Sequence, residues 1–317
     1  FTVQCSGLQC SFNGGGSSDN SGIVAYEWIL PGQQFRLGKV VDAFMPGYGP
    51  KSLQLRVTDN RGQSTLINKG FSMSQPNVTP VAGQYHNPDR PGNRVDIYET
   101  SDSGLVVTWY TFDRAGAAVW YTSGAGQRIG ARWSQPLYKT TKMNGSMIHT
   151  IVGSVSLDFT NSTTAWFSWQ LDDPGVFDQV VVGGERFTHL FGGQGRSGAW
   201  YRPGDSGWGI SVHESGQELE AALGIHNPGG LPIWASSSRV TASSNLTLPL
   251  TFYQGRGLCP SCGGKSATSG AVNYSGSMKL QVADGAVTTG TASINVIGPN
   301  NISITKPLGP IELVTKP

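Results

Sequence analysis

The sequence predicts an all-β protein built from several sandwich or barrel units. Short runs rich in Val, Thr, Tyr and Trp are interrupted by Gly, Pro or Asn about every ten residues, which is typical of strands joined by tight turns. Glycine accounts for 44 of the 317 residues, whereas charged residues make up only 13%. Few segments have the Ala, Leu, Glu and Lys content that long helices prefer. A chain of this length suffices for two or three domains.

The first strand-like region covers residues 1–74, where apolar and polar positions alternate. The apolar positions include Phe1, Val3 and Cys5, then Tyr26, Trp28 and Leu30, then Leu53, Leu55 and Val57. Turn-forming residues separate these runs, including three consecutive glycines at 14–16. The polar stretch 74–80 contains two prolines and predicts a short, semi-stiff linker. We therefore expect a first domain at residues 1–75, with Trp28 in its core.

Several of these positions follow a known family pattern. They are the Cys5–Cys10 hairpin, Phe12, Ser18-Asp19, Gly22-Ile23, Tyr26-Glu27-Trp28, the run from Leu55 to Asp59, and Gly62. This segment resembles the PKD domain, a small immunoglobulin-like β-sandwich found in many secreted bacterial hydrolases. It departs from the family after Trp28, where Ile29-Leu30-Pro31-Gly32 replaces the usual Gly-Asp-Gly turn. Some family members bind calcium, but Asp19 is the one early candidate ligand, and calcium needs six or more oxygens.

The rest of the chain contains an internal repeat, which is the most informative feature of the sequence. At a nearly constant offset, Gly83, Tyr85, Pro88 and Gly92 correspond to Gly198, Trp200, Pro203 and Gly207, and further on Leu105, Asp113, Gly116 and Trp120 correspond to Leu219, Asn227, Gly230 and Trp234. We expect Trp120 and Trp234 to be core residues on matching strands. Each copy offers about six to eight strand-like runs, enough for a small antiparallel barrel or sandwich.

The two copies are expected at residues 81–190 and 196–317. Around Trp200–Gly209 the unit resembles the Trp-Tyr-x-Pro-x-x-Ser-Gly-x-Gly repeats of large secreted proteins from Xanthomonas and Lysobacter relatives. That resemblance implies an organisation but no activity. The predicted fold class is therefore all-β, with an immunoglobulin-like β-sandwich followed by two tandem antiparallel β-barrel or sandwich repeats.

Charge and hydropathy exclude several classes of partner. A formal net charge of +2 gives no electrostatic reason to expect binding to nucleic acid. No apolar run approaches the roughly 18–20 residues that a membrane span needs. The sequence starts at Phe1 without a signal-type segment, so we expect a processed mature form or a fragment of a longer secreted protein.

The four cysteines form two close pairs, Cys5 with Cys10 and Cys259 with Cys262. Paired cysteines in a chain of low charge and high Ser, Thr and Gly content favour disulfides in an oxidising compartment, with free thiols as the alternative. The second pair has the spacing of a thioredoxin-type redox pair, but glycines surround it, which favours a disulfide that staples a loop. Zinc remains an alternative, although two further ligands would be needed.

The tetrapeptide Gly204-Asp205-Ser206-Gly207 matches the surroundings of the nucleophile in trypsin-like proteases. A serine nucleophile needs a histidine base and a carboxylate that orients that base. The upstream histidine motif of those proteases is absent, and Trp208-Gly209 follows in place of Gly-Pro. We therefore expect a structural turn here and no catalytic role for Ser206.

Trp208 is the best candidate ligand-binding residue. It lies between two glycines after this turn, and its counterpart in the first copy is Asn93, a surface-type residue. We expect a partly exposed indole, and exposed aromatic rings are common where proteins contact sugars or other proteins. The alternative is that Trp208 packs locally.

These features favour a non-catalytic accessory, adhesive or substrate-binding segment, attached to or secreted with a hydrolase, over a free-standing enzyme. Its expected partners are an extracellular polymer, a cell-surface protein or polysaccharide, or its own catalytic domain. One alternative is a secreted protease or glycosidase with a site across the repeats. Another is a structural subunit of an extracellular filament, in which edge strands pair between chains.

Overall fold

A computed structural model describes residues 1–90, 92–100, 102–255, 259–260, 268–269, 274–283 and 289–315. Within these ranges the regular structure consists of β-strands and one 3-10 turn at Pro299–Asn301, which confirms the all-β prediction. Contacts divide the chain into two units. Unit 1 contains Phe1–Val78 with Gly130–Arg132 and Asp158–Asn161, and unit 2 contains Thr79–Ile129, Trp133–Leu157 and Ser162–Pro317. None of the described segments forms a helix long and apolar enough to cross a membrane.

Unit 1 has seven strands in two sheets. Strands β1–β7 are Thr2–Ser6, Gln9–Asn13, Ile23–Leu30, Gln34–Leu37, Val40–Phe44, Gly49–Asp59 and Ser64–Met73. One sheet has the order β1-β2-β5 and the other β4-β3-β6-β7. Trp28 is fully buried against the rings of Phe1 and Phe12, as expected. The disulfide Cys5–Cys10 is also confirmed, and it joins directly opposite positions of β1 and β2.

Eight strands of unit 2 close into a first barrel, called barrel 1. Strands β8–β15 are Gly83–His86, Arg94–Glu99, Leu105–Phe112, Ala118–Ser123, Arg132–Met143, Ser146–Asn161, Thr164–Leu171 and Val181–Phe191. Each strand pairs with the next, and β15 returns to β8. Aromatic rings pack together inside: Phe167 lies 5.1 Å from Trp109 and 5.4 Å from Phe187 between ring centroids. Side chains therefore fill this barrel, as small barrels allow.

The remaining strands form a second ring, called barrel 2. Strands β16–β25 are Gly198–Tyr201, Gly209–Ser215, Glu218–His226, Pro232–Ser237, Val240–Thr241, Asn245–Gln254, Thr268–Ser269, Ser275–Gln281, Thr289–Ile297 and Ser303–Thr315. The sheet runs β17-β16-β25-β24-β23-β21-β19-β18, and an additional pairing of β17 with β18 closes it. The short strands β20 and β22 pair at its margin. Its interior is mainly aliphatic, with Leu248, Met278 and Ile294 almost fully buried, and it also holds Trp200, Trp208 and Phe252.

The eight strands of each ring follow one another in the same order. Tyr85 and Trp200 are the third residues of the first strands, β8 and β16, and Trp120 and Trp234 are the third residues of the fourth strands, β11 and β19. Both rings belong to unit 2. The predicted boundaries at 81–190 and 196–317 therefore stay a prediction, although strand order and residue position agree between the rings.

The turns between the third and fourth strands also match, and each touches the other barrel. In the β10–β11 turn the Gly116 carbonyl accepts a hydrogen bond from the Gly255 amide at 3.0 Å. In the β18–β19 turn the Gly230 carbonyl accepts one from the Lys142 amide at 2.9 Å. Lys142 lies on β12 and Gly255 directly follows β21, and these two strands are the fifth strands of their rings. The two contacts are therefore reciprocal. These contacts relate the two barrels by a local pseudo-twofold arrangement. We call the region where the two barrels meet the junction.

Substitution of either turn glycine is expected to destabilise unit 2. Gly116 and Gly230 have φ of 85° and 79°, and an added methyl group would overlap the carbonyl oxygens of Gly255 and Lys142 respectively. We expect Gly116→Ala and Gly230→Ala each to lower the free energy of unfolding by about 2–4 kcal/mol, from backbone strain plus steric overlap.

Gly216→Ala is the matched control, because Gly216 has φ of 60° with no atom near the added methyl. It should lose only about 1 kcal/mol, from strain alone. Urea unfolding of the three variants measures the difference. Equal losses in all three would show that the inter-barrel contacts of the turns contribute nothing.

Candidate functional site

The junction contains a shared aromatic cluster. Trp120 and Trp234 are buried, as expected, but they point out of their own barrels and pack between the two. The Trp120 indole donates to the Ile225 carbonyl at 3.2 Å, and the Trp234 indole donates to the Thr111 carbonyl at 2.9 Å. Because Thr111 and Ile225 occupy matching positions of β10 and β18, the two hydrogen bonds are also reciprocal. The cluster fixes the relative position of the barrels.

Beside this cluster lies a buried group of ionisable side chains. Asp96 is fully buried, with its carboxylate 3.2 Å from the Arg94 guanidinium and 3.2 Å from Nε2 of His213. The Tyr98 hydroxyl lies 3.1 Å from the same imidazole nitrogen. Arg94 also faces Glu220 at 3.7 Å. Residues of β9 in barrel 1 thus make buried polar contacts with residues of β17 and β18 in barrel 2.

The electrostatics of this group favour a structural role. Burial alone would raise the pKa of Asp96, but the charges of Arg94 and His213 outweigh it and hold the pKa below its ordinary value. Burial raises the pKa of the Tyr98 hydroxyl well above its usual range, so Tyr98 stays neutral at physiological pH. Asp96, Tyr98 and His213 have no exposed surface. A substrate could not reach the Asp96–His213–Tyr98 arrangement in this conformation.

The accessible feature of the junction is a surface cleft made of two adjoining cavities of about 360 and 250 Å³. Residues lining the larger cavity are Lys142, Met147, Ser206–Trp208, Ile225–Pro228 and Ile302–Lys306. The smaller is lined mainly by Val106, Thr108, Tyr110, Trp120, Thr122, Thr140, His149, Ala199–Tyr201, Gly207–Ser211, Gly224 and Val314. Gly207 and Trp208 line both cavities, so we call the two cavities together the Trp208 cleft.

Trp208 itself differs from the expectation. Its side chain is only 5% exposed, so the prediction of an exposed indole is wrong. The ring belongs to the hydrophobic core of barrel 2, its Nε1 donates to Asp205 at 3.1 Å, and the Lys306 ammonium lies 5.8 Å from a ring centroid. The indole is thus packed in that core and hydrogen-bonded to the turn that precedes it. Its counterpart Asn93 is also buried, where it accepts a hydrogen bond from the Trp109 indole at 2.8 Å.

The turn at 204–207 places Asp205 and Ser206 in different surroundings. Burial raises the pKa of Asp205, but hydrogen bonds from Lys306 and Trp208 outweigh this and lower it. Ser206 is exposed at the larger cavity. His226 lines the same cavity, but its Nε2 donates to the Thr140 carbonyl at 2.7 Å, and no hydrogen bond joins it to Ser206. The Asp205 carboxylate is thus committed to Lys306 and Trp208.

Sequence patterns did not indicate three charged or titratable residues of the cleft, Lys142, His226 and Lys306. They come from three distant strands, β12, β18 and β25, which meet only at the junction. His226 occupies the strand position of Phe112 in the first copy and is 8% exposed. No local spacing could have revealed the set.

Metal-ligand geometry is missing from the part of the chain that the structure describes, where no three or more His, Cys, Asp or Glu side chains cluster. Asp19, the candidate for calcium, accepts a hydrogen bond from the Ser21 amide at 2.7 Å, which makes it a turn-stabilising residue. The predicted disulfide between Cys259 and Cys262 involves Cys262, which lies outside the described residues.

Comparison with known proteins yields a short similarity. No family model matches the chain. Over 52 residues it is 42% identical to the pre-pro-metalloprotease PrtV of Vibrio cholerae serotype O1, in strains M66-2 and El Tor Inaba N16961. The aligned part covers 16% of this chain and only 6% of that protein. The similarity is thus local, and it leaves most of both proteins unaligned.

Proposed function

We propose that this chain is a non-catalytic accessory segment of a longer secreted protein, and that it binds an extracellular polymer or cell-surface partner at the Trp208 cleft. The observation that carries the proposal is the cleft itself. It combines aromatic walls, hydroxyl groups and a partly exposed tyrosine, Tyr201, on the rigid junction of two filled barrels. Concave sites with an apolar lining and a few polar groups are where proteins usually hold ligands.

Secretion and attachment to a hydrolase have independent support. The Cys5–Cys10 disulfide is of the kind that persists in oxidising compartments. The 52-residue similarity to a metalloprotease precursor favours a role beside a secreted protease. The PKD-like character of residues 1–75 and the repeat resemblance of the barrels would fit the same role. The local alignment leaves the identity of any catalytic domain as part of the proposal.

The packed barrel interiors restrict where a ligand can be held. Barrel 1 is filled by aromatic rings and barrel 2 mainly by aliphatic side chains, so neither resembles a barrel that encloses a ligand. A polymer chain is also too long to be enclosed. A groove on the outer surface, open along one side, suits a polymer better.

The experiment compares binding of wild-type and Tyr201→Ala protein to insoluble polysaccharides, bacterial cell wall and protein fibres. Tyr201 is 41% exposed and lines the smaller cavity, so it can be removed with little loss of packing, unlike the buried Trp208. Loss of a contacting aromatic side chain should weaken binding by about 1–3 kcal/mol. Unfolding curves should be nearly unchanged.

Phe35→Ala is the control, because Phe35 is an exposed aromatic residue of β4 that does not line the cleft. It should bind as the wild type does. If Phe35→Ala lost binding and Tyr201→Ala retained it, the binding surface would lie on unit 1 and the cleft would be excluded. If wild-type protein bound none of these materials, the accessory binding role itself would be wrong.

A further inference from the structure

The larger cavity of the Trp208 cleft is strongly biased toward positive charge. Its lining includes two lysines, Lys142 and Lys306, and no aspartate or glutamate. Lys306 is neutralised by Asp205, with N–O distances of 2.6 and 2.8 Å. Lys142 is exposed, and among the residues that the structure describes no carboxylate forms an ion pair with its ammonium group. Lys142 therefore supplies an unbalanced positive charge at the cavity rim.

The pKa of His226, inside the cavity, is affected by the same positive charges. Burial is the main cause that lowers the pKa of this imidazole. The carbonyls of Thr140 and Gly207 act in the opposite direction, and the charges of Lys142 and Lys306 lower the pKa further. A nearby anion would counter the effect of the lysines. The pKa of this imidazole should therefore rise when an anion binds in the cavity.

The remaining lining groups suit a sugar ring. Ser206, Ser303 and Thr305 place hydroxyl groups around the cavity, while Met147 and the exposed Ile302 provide apolar surface. Sugar rings present hydroxyl groups at their edges and C–H groups on their faces, so they need both kinds of contact. A volume of about 360 Å³ suffices for one or two sugar units, at the lower end of the ~300–1,000 Å³ typical of ligand sites.

From this combination we infer that the larger cavity binds a carboxylate-bearing sugar unit of an acidic polysaccharide, with the carboxylate paired to Lys142. The inference rests on the proposed binding function and names the ligand class for the same cleft. A small inorganic anion would satisfy Lys142 but would leave the hydroxyl and apolar walls without contacts. A neutral sugar would use those walls but would leave Lys142 unpaired.

The test is calorimetric titration of the full 317-residue chain with trigalacturonate, its methyl ester, a neutral trisaccharide and inorganic phosphate. Trigalacturonate should bind at least about tenfold more tightly than the other three, since a charge-assisted hydrogen bond is worth a factor of this order. Lys142→Gln should weaken trigalacturonate binding about five- to tenfold and leave the weak binding of the ester unchanged.

Lys279→Gln is the matched control, because Lys279 is an exposed lysine of β23 outside the cavity. It removes one positive charge, as Lys142→Gln does, but from barrel 2, and it should leave every affinity unchanged. NMR titration of His226 gives a second readout, in which saturating trigalacturonate raises the imidazole pKa in the wild type and raises it less in Lys142→Gln.

Three results would overturn the inference. They are equal affinities for trigalacturonate and its methyl ester, equal losses in the Lys142 and Lys279 variants, and phosphate binding as tight as that of trigalacturonate. The last would identify a general anion site. If trigalacturonate failed to bind while polymer binding still depended on Tyr201, the ligand class would be wrong and the proposed function would stand. If nothing bound at all, both would fail.

Discussion

Replacement of Asp96 by asparagine is expected to lower the free energy of unfolding by about 3–5 kcal/mol at pH 7, the usual cost of breaking a buried ion pair. Asp96 has no exposed surface and is the nearer of the two carboxylates that face Arg94, with Glu220 at 3.7 Å. Without it, a buried guanidinium keeps only part of its counter-charge. Urea unfolding followed by tryptophan fluorescence measures the loss.

Asp178→Asn is the control for this substitution. Asp178 also pairs with an arginine, Arg114, but its side chain is 89% exposed. Solvent screens such a pair, so we expect almost no change in stability. A loss of similar size in both variants would mean that burial of the junction pair does not determine its contribution.

The same carboxylate gives unit 2 a defined response to acid. The folded-state pKa of Asp96 is lowered, because Arg94 and His213 outweigh the opposing effect of burial. The unfolded chain, with a pKa of about 3.9 for aspartate, therefore takes up the proton first as the pH falls. The stabilisation by this carboxylate is complete above about pH 5 and is lost as the pH falls through 4 toward the folded-state pKa.

A comparison of wild type and Asp96→Asn across pH 7 to 3 isolates this contribution, because the other carboxylates titrate in both proteins. The difference between the two unfolding free energies should shrink as the pH falls from 5 to 3. Parallel curves throughout the range would show that Asp96 has the same pKa in the folded and unfolded states.

Much of the fold could be predicted from the sequence, and three of the strands that escaped prediction share a feature. The alternating runs indicated most strands, and the repeated Gly and Trp positions indicated two similar units. Strands β12, β21 and β25 were among those not anticipated, and each contains proline: Pro136, Pro249, and both Pro307 and Pro310. Proline within a run argues against a strand, because it cannot donate a ladder hydrogen bond.

Pro249 shows how the fold accommodates such a residue. It is opposite Ser277 in the ladder with β23, whereas the ladder between β21 and β19 begins only at Leu250. The N–H group that Pro249 lacks is therefore not needed for a hydrogen bond to the neighbouring strand β19. This tolerance depends on where the neighbouring strand starts, which the local sequence does not reveal.

The candidate site was predictable only in part. The sequence indicated Trp208, but its burial depends on packing in the core of barrel 2 and on contacts with Asp205 and the distant Lys306. The aromatic residues Trp120 and Trp234 were correctly expected to be buried on matching strands. Their position between the barrels was not expected. A strand pattern shows that a face of the strand is buried, but it does not show whether the residues packed against that face belong to the same barrel or to the other.

Trp234→Ala is expected to lower the free energy of unfolding by about 3–5 kcal/mol, as for other buried tryptophans, and to loosen barrel 1 although Trp234 belongs to barrel 2. Its indole ring packs against Tyr110 and Phe112 of β10, with centroid distances of 5.5 and 5.4 Å, and donates to the Thr111 carbonyl. Removal should therefore leave β10 without its cover.

Trp200→Ala is the matched comparison, because Trp200 is equally buried, lies in the core of barrel 2, and donates its indole hydrogen bond to Arg196 of the same repeat. Native-state hydrogen exchange distinguishes the two variants by showing which strands open. Trp234→Ala should speed exchange in β10 of barrel 1 as well as in barrel 2, whereas Trp200→Ala should speed it mainly in barrel 2.

The reciprocal substitution completes the argument. The indole of Trp120 donates to the Ile225 carbonyl and its ring lies 5.7 Å from that of His226, both on β18 of barrel 2. Trp120→Ala should therefore speed exchange in β18, the mirror image of the effect of Trp234→Ala on β10. If each substitution affected only the barrel that carries it, the barrels would be independent domains that merely touch, and the junction could not serve as a rigid support for the Trp208 cleft.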